Sequence, residues 1–116
     1  MKRTVYEITV GTQHTIDKHG TDYLCKQREH YAQVLCRHFG GVTILRERGG
    51  YIMDSGELVF EDVYIYRVIE IAMSGERPFI DATAAEMAAV FGEECVLVTE
   101  HKVKASLVRP CSTTLQ

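Results

Sequence analysis

The sequence lacks any apolar run near the roughly 18 residues that a membrane span needs, so no membrane-spanning segment is expected. It also lacks a basic excess: 13 Lys and Arg against 16 Asp and Glu give a net charge of −3. This balance argues against a general nucleic-acid binder. The start is basic at Lys2 and Arg3, but Thr4–Val10 alternates and carries Glu7, unlike the apolar core of a signal peptide. We therefore expect a cytosolic protein.

Paired cysteines of the kind that bind zinc are also missing. The chain has four cysteines and no C-x-x-C pair: Cys25, Cys36, Cys95 and Cys111. Cys25 and Cys36 fall on one predicted helix, roughly 16 Å apart at about 1.5 Å per residue, which is too far for a disulfide. His14 and His19 have no cysteine pair nearby to complete a zinc site. We expect four free thiols, no metal site and no cofactor.

The remaining pattern is that of one domain built from strands and helices. With 46% apolar and 25% charged residues, 116 residues suffice for a single core. Periodicity predicts, in chain order, a strand, a helix, two strands, a helix and a strand, at Thr4–Val10, Asp22–Phe39, Val42–Met53, Leu58–Ala72, Thr83–Phe91 and Cys95–Val103. This order predicts an α+β, ferredoxin-like βαββαβ fold over residues 1–107, with two helices on one face of a four-stranded antiparallel sheet. Strands one and three are expected in the centre, and residues 108–116 are expected to form an irregular tail.

Three connecting features are predicted from glycine and capping residues. Gly11–Gly20 reads as a polar loop, and Thr83–Glu86 fits a capping box that begins the second helix. Gly49–Gly50 inside a strand pattern favours a β-bulge. The neighbouring Arg46 and Arg48 leave open a phosphate-binding role for this segment.

The third strand is apolar on both faces. Its odd-numbered positions, from Val59 to Ile71, are mostly aliphatic and are expected to pack against the helices. Its even-numbered positions carry five large apolar residues: Leu58, Phe60, Tyr64, Tyr66 and Val68. Isolated domains seldom leave so large a patch exposed, so we expect a cover. A second copy stacked sheet to sheet is favoured, because two-fold homodimers are the commonest assemblies. The C-terminal tail and a ligand or foreign protein are the alternatives.

Charged side chains converge on one end of the predicted fold. Arg28 lies within the apolar stripe of the first helix, and Glu61 is expected to point toward the helices from the start of the third strand. A salt bridge between them and an anion-binding clamp both fit this placement. The loop after the first strand brings His14 and His19 to the same end, where Glu93–Glu94 also arrives. We predict Arg28, Glu61, His14 and His19 as a candidate site for a small anion.

A pattern in the middle of the chain resembles a known group of proteins. A helix ends in an aromatic residue, followed by glycine and threonine, a strand, a glycine-aromatic step, a turn glycine and a glutamate, at Phe39, Gly41, Thr43, Gly50, Tyr51, Gly56 and Glu61. This pattern, with the strand-then-glycine start at Tyr6–Gly11, resembles an uncharacterised bacterial family of small domains. The resemblance implies a ferredoxin-like α+β fold and supplies no activity. The family's glutamate corresponds to Glu61.

Three functional hypotheses follow. The leading one is a non-enzymatic binding protein for a small anion, acting as a sheet-stacked homodimer. The second is a protein-interaction module or inhibitor of the mobile-element type, docking through the aromatic sheet face. The third is an enzyme of the dimeric α/β-barrel type, with His14 or His19 and Glu61 as acid and base. The sequence shows no nucleophile–base pair, so the enzyme hypothesis ranks last.

Overall fold

The fold is a four-stranded sheet with helices packed on one face. The computed structural model describes residues 2–70 and 75–111. Its elements are β1 (Lys2–Gly11), α1 (Gln13–His19), α2 (Thr21–Phe39), β2 (Thr43–Ile52), β3 (Leu58–Glu70), α3 (Arg77–Phe91) and β4 (Leu97–Lys104). All paired strands are antiparallel, in the order β2-β3-β1-β4. The predicted α+β architecture with β1 and β3 in the centre is confirmed, but the described residues form three helices instead of two. None of these helices is long and apolar enough to span a membrane.

α1 occupies the segment that we predicted as a polar loop. The Thr15 hydroxyl donates a hydrogen bond to the Phe91 carbonyl at 3.0 Å, at the end of α3. Just before the helix, the Thr12 hydroxyl donates to the Asp62 carbonyl at 2.7 Å, in β3. No side-chain cap and no acidic residue in the first turn mark the start of α1. Contacts with distant elements hold this helix, which explains why the local sequence did not reveal it.

α3 begins well before the predicted capping box. The helix starts at Arg77, with Pro78 in its first turn, and Thr83 is buried within it. The prediction that Thr83 caps the helix is therefore wrong. Proline fits the first turn because its missing N–H has no helical partner there in any case.

The hydrophobic core lies between the helices and the even-numbered face of β3. Tyr64, Tyr66 and Val68 are at most 5% exposed. They cluster with residues of β1, α2 and α3: Tyr6, Ile8, Val10, Leu24, Tyr31, Leu35, Phe39, Ile80, Ala84, Met87 and Phe91. Our assignment of the two faces is wrong, because the aromatic face and not the aliphatic one meets the helices. Tyrosine rings bury a large apolar area, which favours this choice. Of the five predicted interface residues, only Leu58 and Phe60 are exposed.

β2 and β3 form a long ribbon, the β2–β3 ribbon, whose tip is exposed. The pairing runs without interruption from Thr43–Arg67 to Ile52–Leu58, so the predicted bulge at Gly49–Gly50 is wrong. The Phe60 ring lies over Gly50, where any Cβ would overlap it. Glycine at this position therefore makes room for an aromatic ring. The ribbon contributes to an elongated molecule of 58 × 30 × 22 Å.

The odd-numbered side chains of β3 lie on the other face of the sheet, the open face, which no described helix covers. Val63 and Ile65 are largely shielded by their neighbours, whereas Ile69 is 38% exposed. Arg67 and Glu7 form an ion pair across β3 and β1 at 2.8 Å. The open face is therefore apolar with a neutralised charge pair at its centre. Residues 71 and 72, at the end of the predicted strand, lie outside the described residues.

Candidate functional site

Glu61 is buried at the end of the sheet where β1 leads into α1. Its Oε1 accepts hydrogen bonds from the backbone N–H groups of Thr12 at 2.6 Å and Gln13 at 3.1 Å. The first N–H groups of a helix have no partner inside the helix, so a carboxylate can satisfy them. These two bonds fix the position of one carboxylate oxygen.

Glu93 brings a second carboxylate to the same point. α3 ends at Phe91, and Gly92 takes a left-handed φ of 67°, which turns the chain so that Glu93 approaches β1. The Oε1 atoms of Glu61 and Glu93 both lie within about 2.5 Å of the position that a Cβ on Gly11 would take, so they are at most about 5 Å apart. Glycine at position 11 leaves the space in which the two carboxylates meet.

The Glu93 carboxyl group combines burial with negative neighbours. Its Oε1 is buried and has no hydrogen-bond partner among the residues that the structure describes. Burial, followed by the negative charges of Glu61 and Glu94, raises the pKa of Glu93 to about 7. Near neutral pH this carboxyl group therefore exists in both protonation states and can accept or donate a proton.

Tyr51 adds a phenol to the two carboxyl groups. Burial of its hydroxyl, the charges of Glu61 and Glu93, and a hydrogen bond with Glu61 raise the pKa of Tyr51 to about 12. The phenol therefore keeps its proton and acts as a donor. Its side chain remains reachable, because Tyr51 is 41% exposed. We call Glu61, Glu93 and Tyr51 the acidic site.

The acidic site is suited to a positively charged ligand. It combines two carboxyl groups at close range with a proton donor, and Oε1 of Glu93 receives no hydrogen bond from the described residues. A positive charge placed between the carboxylates would relieve their mutual repulsion. Within residues 2–70 and 75–111, no group of three or more His, Cys, Asp or Glu side chains is arranged to hold a metal ion. Two carboxyl groups at this distance therefore suit a positively charged group better than the small anion that we predicted.

The two histidines that we predicted for the site lie at different distances from it. The His14 ring lies against Gly92, where a Cβ would overlap it, and is thus beside Glu93. His19 lies at the C-terminal end of α1, with its ring 4.2 Å from that of Tyr23. The structure brings His14 to the edge of the acidic site and leaves His19 apart from it.

Arg28 lies on the opposite face of the sheet from Glu61. Its Nη1 donates to the Tyr64 hydroxyl at 3.2 Å, and its Cζ is 5.4 Å from the centre of the Tyr64 ring. Neighbouring strand positions alternate between faces, so Glu61 points to the open face while Tyr64 points to the helices. The predicted pairing of Arg28 with Glu61 is therefore wrong.

The location of the site was predicted from the sequence more accurately than the residues that form it. His14, Glu61 and Glu93–Glu94 were expected at one end of the fold, and the structure has them there. We did not predict Tyr51 as a site residue, and we did not predict that the two carboxyl groups form a pair. Strand parity was an available signal, because Tyr51 pairs with Val59 and so shares a face with Glu61.

Comparisons with known proteins give structural neighbours only. No family model and no curated protein matches the chain. The fold is similar to a phage SAM lyase in complex with S-methyl-5′-thioadenosine, with a TM-score of 0.64 and 18% identity over 92% of this chain and 93% of that one. It is also similar to a phage SAM lyase in the apo state, with a TM-score of 0.62 and 19% identity over 93% and 94% of the two chains. The likeness covers nearly the full length of both proteins.

These neighbours correct our leading functional hypothesis. Both solved structures are of an enzyme, which contradicts the expectation of a non-enzymatic binding protein. The aromatic face of the second hypothesis is mostly buried, because Tyr64, Tyr66 and Val68 are in the core. The enzyme hypothesis, which ranked last, agrees in class with the neighbours. The resemblance to an uncharacterised bacterial family stays a prediction.

Proposed function

We propose that this protein is a lyase that cleaves S-adenosylmethionine and releases S-methyl-5′-thioadenosine. The proposal rests on the pair of carboxyl groups, Glu61 and Glu93, at the end of a sheet whose fold resembles that of a phage SAM lyase. We regard the fold as a ferredoxin-like βαββαβ core with α1 inserted after β1. The substrate is a sulfonium cation, which is the kind of charge that the acidic site accommodates.

The proposed reaction breaks the bond between the sulfonium sulfur and the four-carbon amino acid chain. The electron pair of that bond goes to sulfur, which becomes the neutral thioether of S-methyl-5′-thioadenosine. The carbon that loses its bond to sulfur gains a new bond within the substrate. This is either a C–O bond, formed by attack of the substrate's own carboxylate, or a C=C bond, formed as the adjacent carbon loses a proton. Neither route consumes water, which distinguishes a lyase from a hydrolase.

The acidic site supplies two functions to this reaction. Before cleavage, Glu61 and Glu93 attract the sulfonium and orient it, since opposite charges interact strongly where water is partly excluded. During proton loss from the adjacent carbon, Glu93 in its ionised form is the acceptor, because a pKa of about 7 keeps both of its forms populated at neutral pH. Tyr51 keeps its proton beside Glu61, so its hydroxyl can donate to that carboxylate or to the substrate.

The test is direct incubation of the purified protein with S-adenosylmethionine. Liquid chromatography with mass detection should show S-methyl-5′-thioadenosine accumulating together with one equivalent of the four-carbon product. A lactone identifies attack by the substrate carboxylate, and an unsaturated amino acid identifies proton loss. Release of adenine or S-adenosylhomocysteine in place of the thioether, or no turnover between pH 5 and 9, would overturn the proposal.

We also propose that a second copy covers the open face. The homodimer predicted from the sequence is untested, and the residues available for it are now those of the open face and not Tyr64, Tyr66 or Val68. Ile65 and Ile69 lie there beside the Arg67–Glu7 ion pair, and a neutral apolar face suits a self-complementary contact. Light scattering should detect an oligomer that Ile65→Glu dissociates and that Ile52→Glu, at the exposed ribbon tip, leaves intact. A monomer at high micromolar concentration would rule this contact out.

A further inference from the structure

The helix-side face of the β2–β3 ribbon carries three arginines beside two aromatic rings. On β2, Arg46 faces Tyr64, and Arg48 faces Asp62, in the antiparallel pairing with β3. Arg28 reaches the same face from α2 through its hydrogen bond to the Tyr64 hydroxyl at 3.2 Å. Glu61 belongs to the opposite face, so this surface is separate from the acidic site. We call Arg28, Arg46, Arg48 and Phe60 the arginine surface; the Tyr64 ring beside Arg28 is buried in the core.

The arginine surface is positively charged although the whole chain is not. Arg46 is ion-paired with Asp62 at 2.8 Å, yet its side chain remains 69% exposed. Arg28 lies 3.6 Å from Glu29. Arg48 is exposed and has no ion pair with any residue that the structure describes. Three arginines thus face two carboxylates here, while the net charge of the chain is −3. The surface therefore carries a local net charge of +1.

The exposed ring of Phe60 gives this surface a second binding element. The Arg48 Cζ lies 5.8 Å from the centre of the Phe60 ring, and the Arg28 Cζ lies 5.4 Å from that of Tyr64. Phe60 is 58% exposed, and one side of its ring rests on Gly50. An exposed ring on a backbone floor is a platform on which another flat group can stack. Acidic side chains have no flat ring to stack on such a platform, whereas nucleobases do.

From this combination we infer that the arginine surface binds single-stranded nucleic acid. Arg46 and Arg48 are two positions apart on one strand, about 6.7 Å at the rise of an extended chain, which is comparable to the step between consecutive phosphates of a stretched strand. Guanidinium groups match phosphate oxygens with paired hydrogen bonds, and Phe60 receives a base between these contacts. The net charge, which argued against a general nucleic-acid binder, does not reveal a local surface of this kind. This inference is independent of the proposed lyase activity.

The test is fluorescence anisotropy of a labelled single-stranded oligonucleotide of about 12 nucleotides, within the usual site sizes of about 4–16. DNA and RNA versions are titrated with the intact protein from about 50 to 200 mM salt. Three phosphate contacts predict a slope of about −2 in a plot of log K against log salt concentration. Arg48→Gln should weaken binding about 3- to 10-fold and reduce the slope by about 0.7.

Two further variants separate stacking from charge. Phe60→Ala should weaken binding about 5-fold or more while leaving the salt slope unchanged, because it removes a ring and no charge. Arg37→Gln, an exposed arginine in the last turn of α2, should bind as the unmodified protein does. Circular dichroism checks that each variant is folded, and unchanged release of S-methyl-5′-thioadenosine separates this inference from the proposed lyase activity.

Three results would overturn the inference. One is the absence of binding at about 100 μM protein and 50 mM salt, the weak limit for non-specific nucleic-acid binding. A second is undiminished binding by the triple variant Arg28→Gln, Arg46→Gln, Arg48→Gln. A third is competition by polyglutamate that equals competition by unlabelled oligonucleotide of the same charge, which would assign the surface to an acidic protein segment.

Discussion

The two ends of β3 carry buried glutamates with similar local bonding and different surroundings. Glu61 and Glu70 are 5% and 7% exposed. Each accepts hydrogen bonds from two backbone N–H groups. Those to Glu61 come from the start of α1, and those to Glu70 come from the segment that leads into α3. In both places the carboxylate holds the segment between a strand and a helix against the sheet through these hydrogen bonds. Such a carboxylate has a structural role that needs no ligand.

The difference lies in what stands next to each glutamate. Glu70 accepts an additional bond from the Tyr6 hydroxyl at 3.2 Å, and Arg77 and Lys102 line the same cavity. Glu61 has the carboxyl group of Glu93 beside it, with an oxygen that lacks a partner in the described chain. The negative charge of Glu70 is balanced by nearby donors and cations and stabilises the fold. The charges of Glu61 and Glu93 are not balanced in this way and favour the binding of a cation. The side chains next to a buried glutamate, more than the glutamate itself, therefore decide whether its role is functional or structural.

The largest expected effect is on catalysis and is confined to the Glu61 end. Glu61→Gln keeps an oxygen for the Thr12 and Gln13 amides but removes the negative charge, so release of S-methyl-5′-thioadenosine should fall by about 100-fold or more. Glu70→Gln is the matched control, and its activity per folded molecule should be unchanged. Chromatographic rates and urea unfolding of both variants measure the difference. Equal losses of activity in the two variants would remove the functional distinction between the ends.

A side chain at Gly11 should separate the two carboxyl groups. Gly11→Ala places a Cβ against Oε1 of Glu61 and of Glu93, so we expect a loss of about 1–3 kcal/mol in the free energy of unfolding and a larger fractional loss of activity. Gly41→Ala is the control, since nothing lies within 4 Å of its Cβ, and it should be neutral or slightly stabilising. Chemical denaturation measures both. A fully active Gly11→Ala variant would contradict the assigned geometry.

The stability of the protein should decrease with rising pH because of Glu93. Its pKa of about 7 lies above the ordinary 4.5, so the folded state binds this proton more tightly than the unfolded state does. The resulting stability is complete below pH 4.5 and is lost as the pH rises through 7, a decrease of about 2 kcal/mol once solvent screening is included. Urea unfolding at several pH values should show this decrease in Glu57→Gln and not in Glu93→Gln. The same decrease in both variants would assign it to another group.

The smallest effect belongs to the Glu70 end. Tyr6→Phe removes the hydroxyl that donates to Glu70 and should lower the free energy of unfolding by about 1 kcal/mol. Because this end lies apart from the acidic site, the rate of substrate cleavage should not change. Thermal unfolding and the chromatographic assay, run on the same preparation, measure the two quantities. A reduced rate in folded Tyr6→Phe would mean that the two ends are coupled.

The sequence predicted what depends on local patterns and missed what depends on distant contacts. The α2 boundaries were predicted to within one residue because glycine at position 40 and the apolar spacing are local signals. α1 was missed because Thr12 and Thr15 bond to residues far along the chain. The faces of β3 were exchanged because both are apolar, and only packing decides which one the helices cover. The pairing of Glu61 with Glu93 likewise depends on where the end of α3 meets β1.

The stacking of Phe60 on Gly50 has a practical consequence for measurement. The sequence contains no tryptophan, so an indole introduced by Phe60→Trp would be the single source of tryptophan emission, which excitation at the red edge of its absorption separates from that of the six tyrosines. The side chain at this position is 58% exposed, so an indole there can extend into solvent without entering the core. Its emission maximum would therefore follow events on this face of the ribbon without a dye attached.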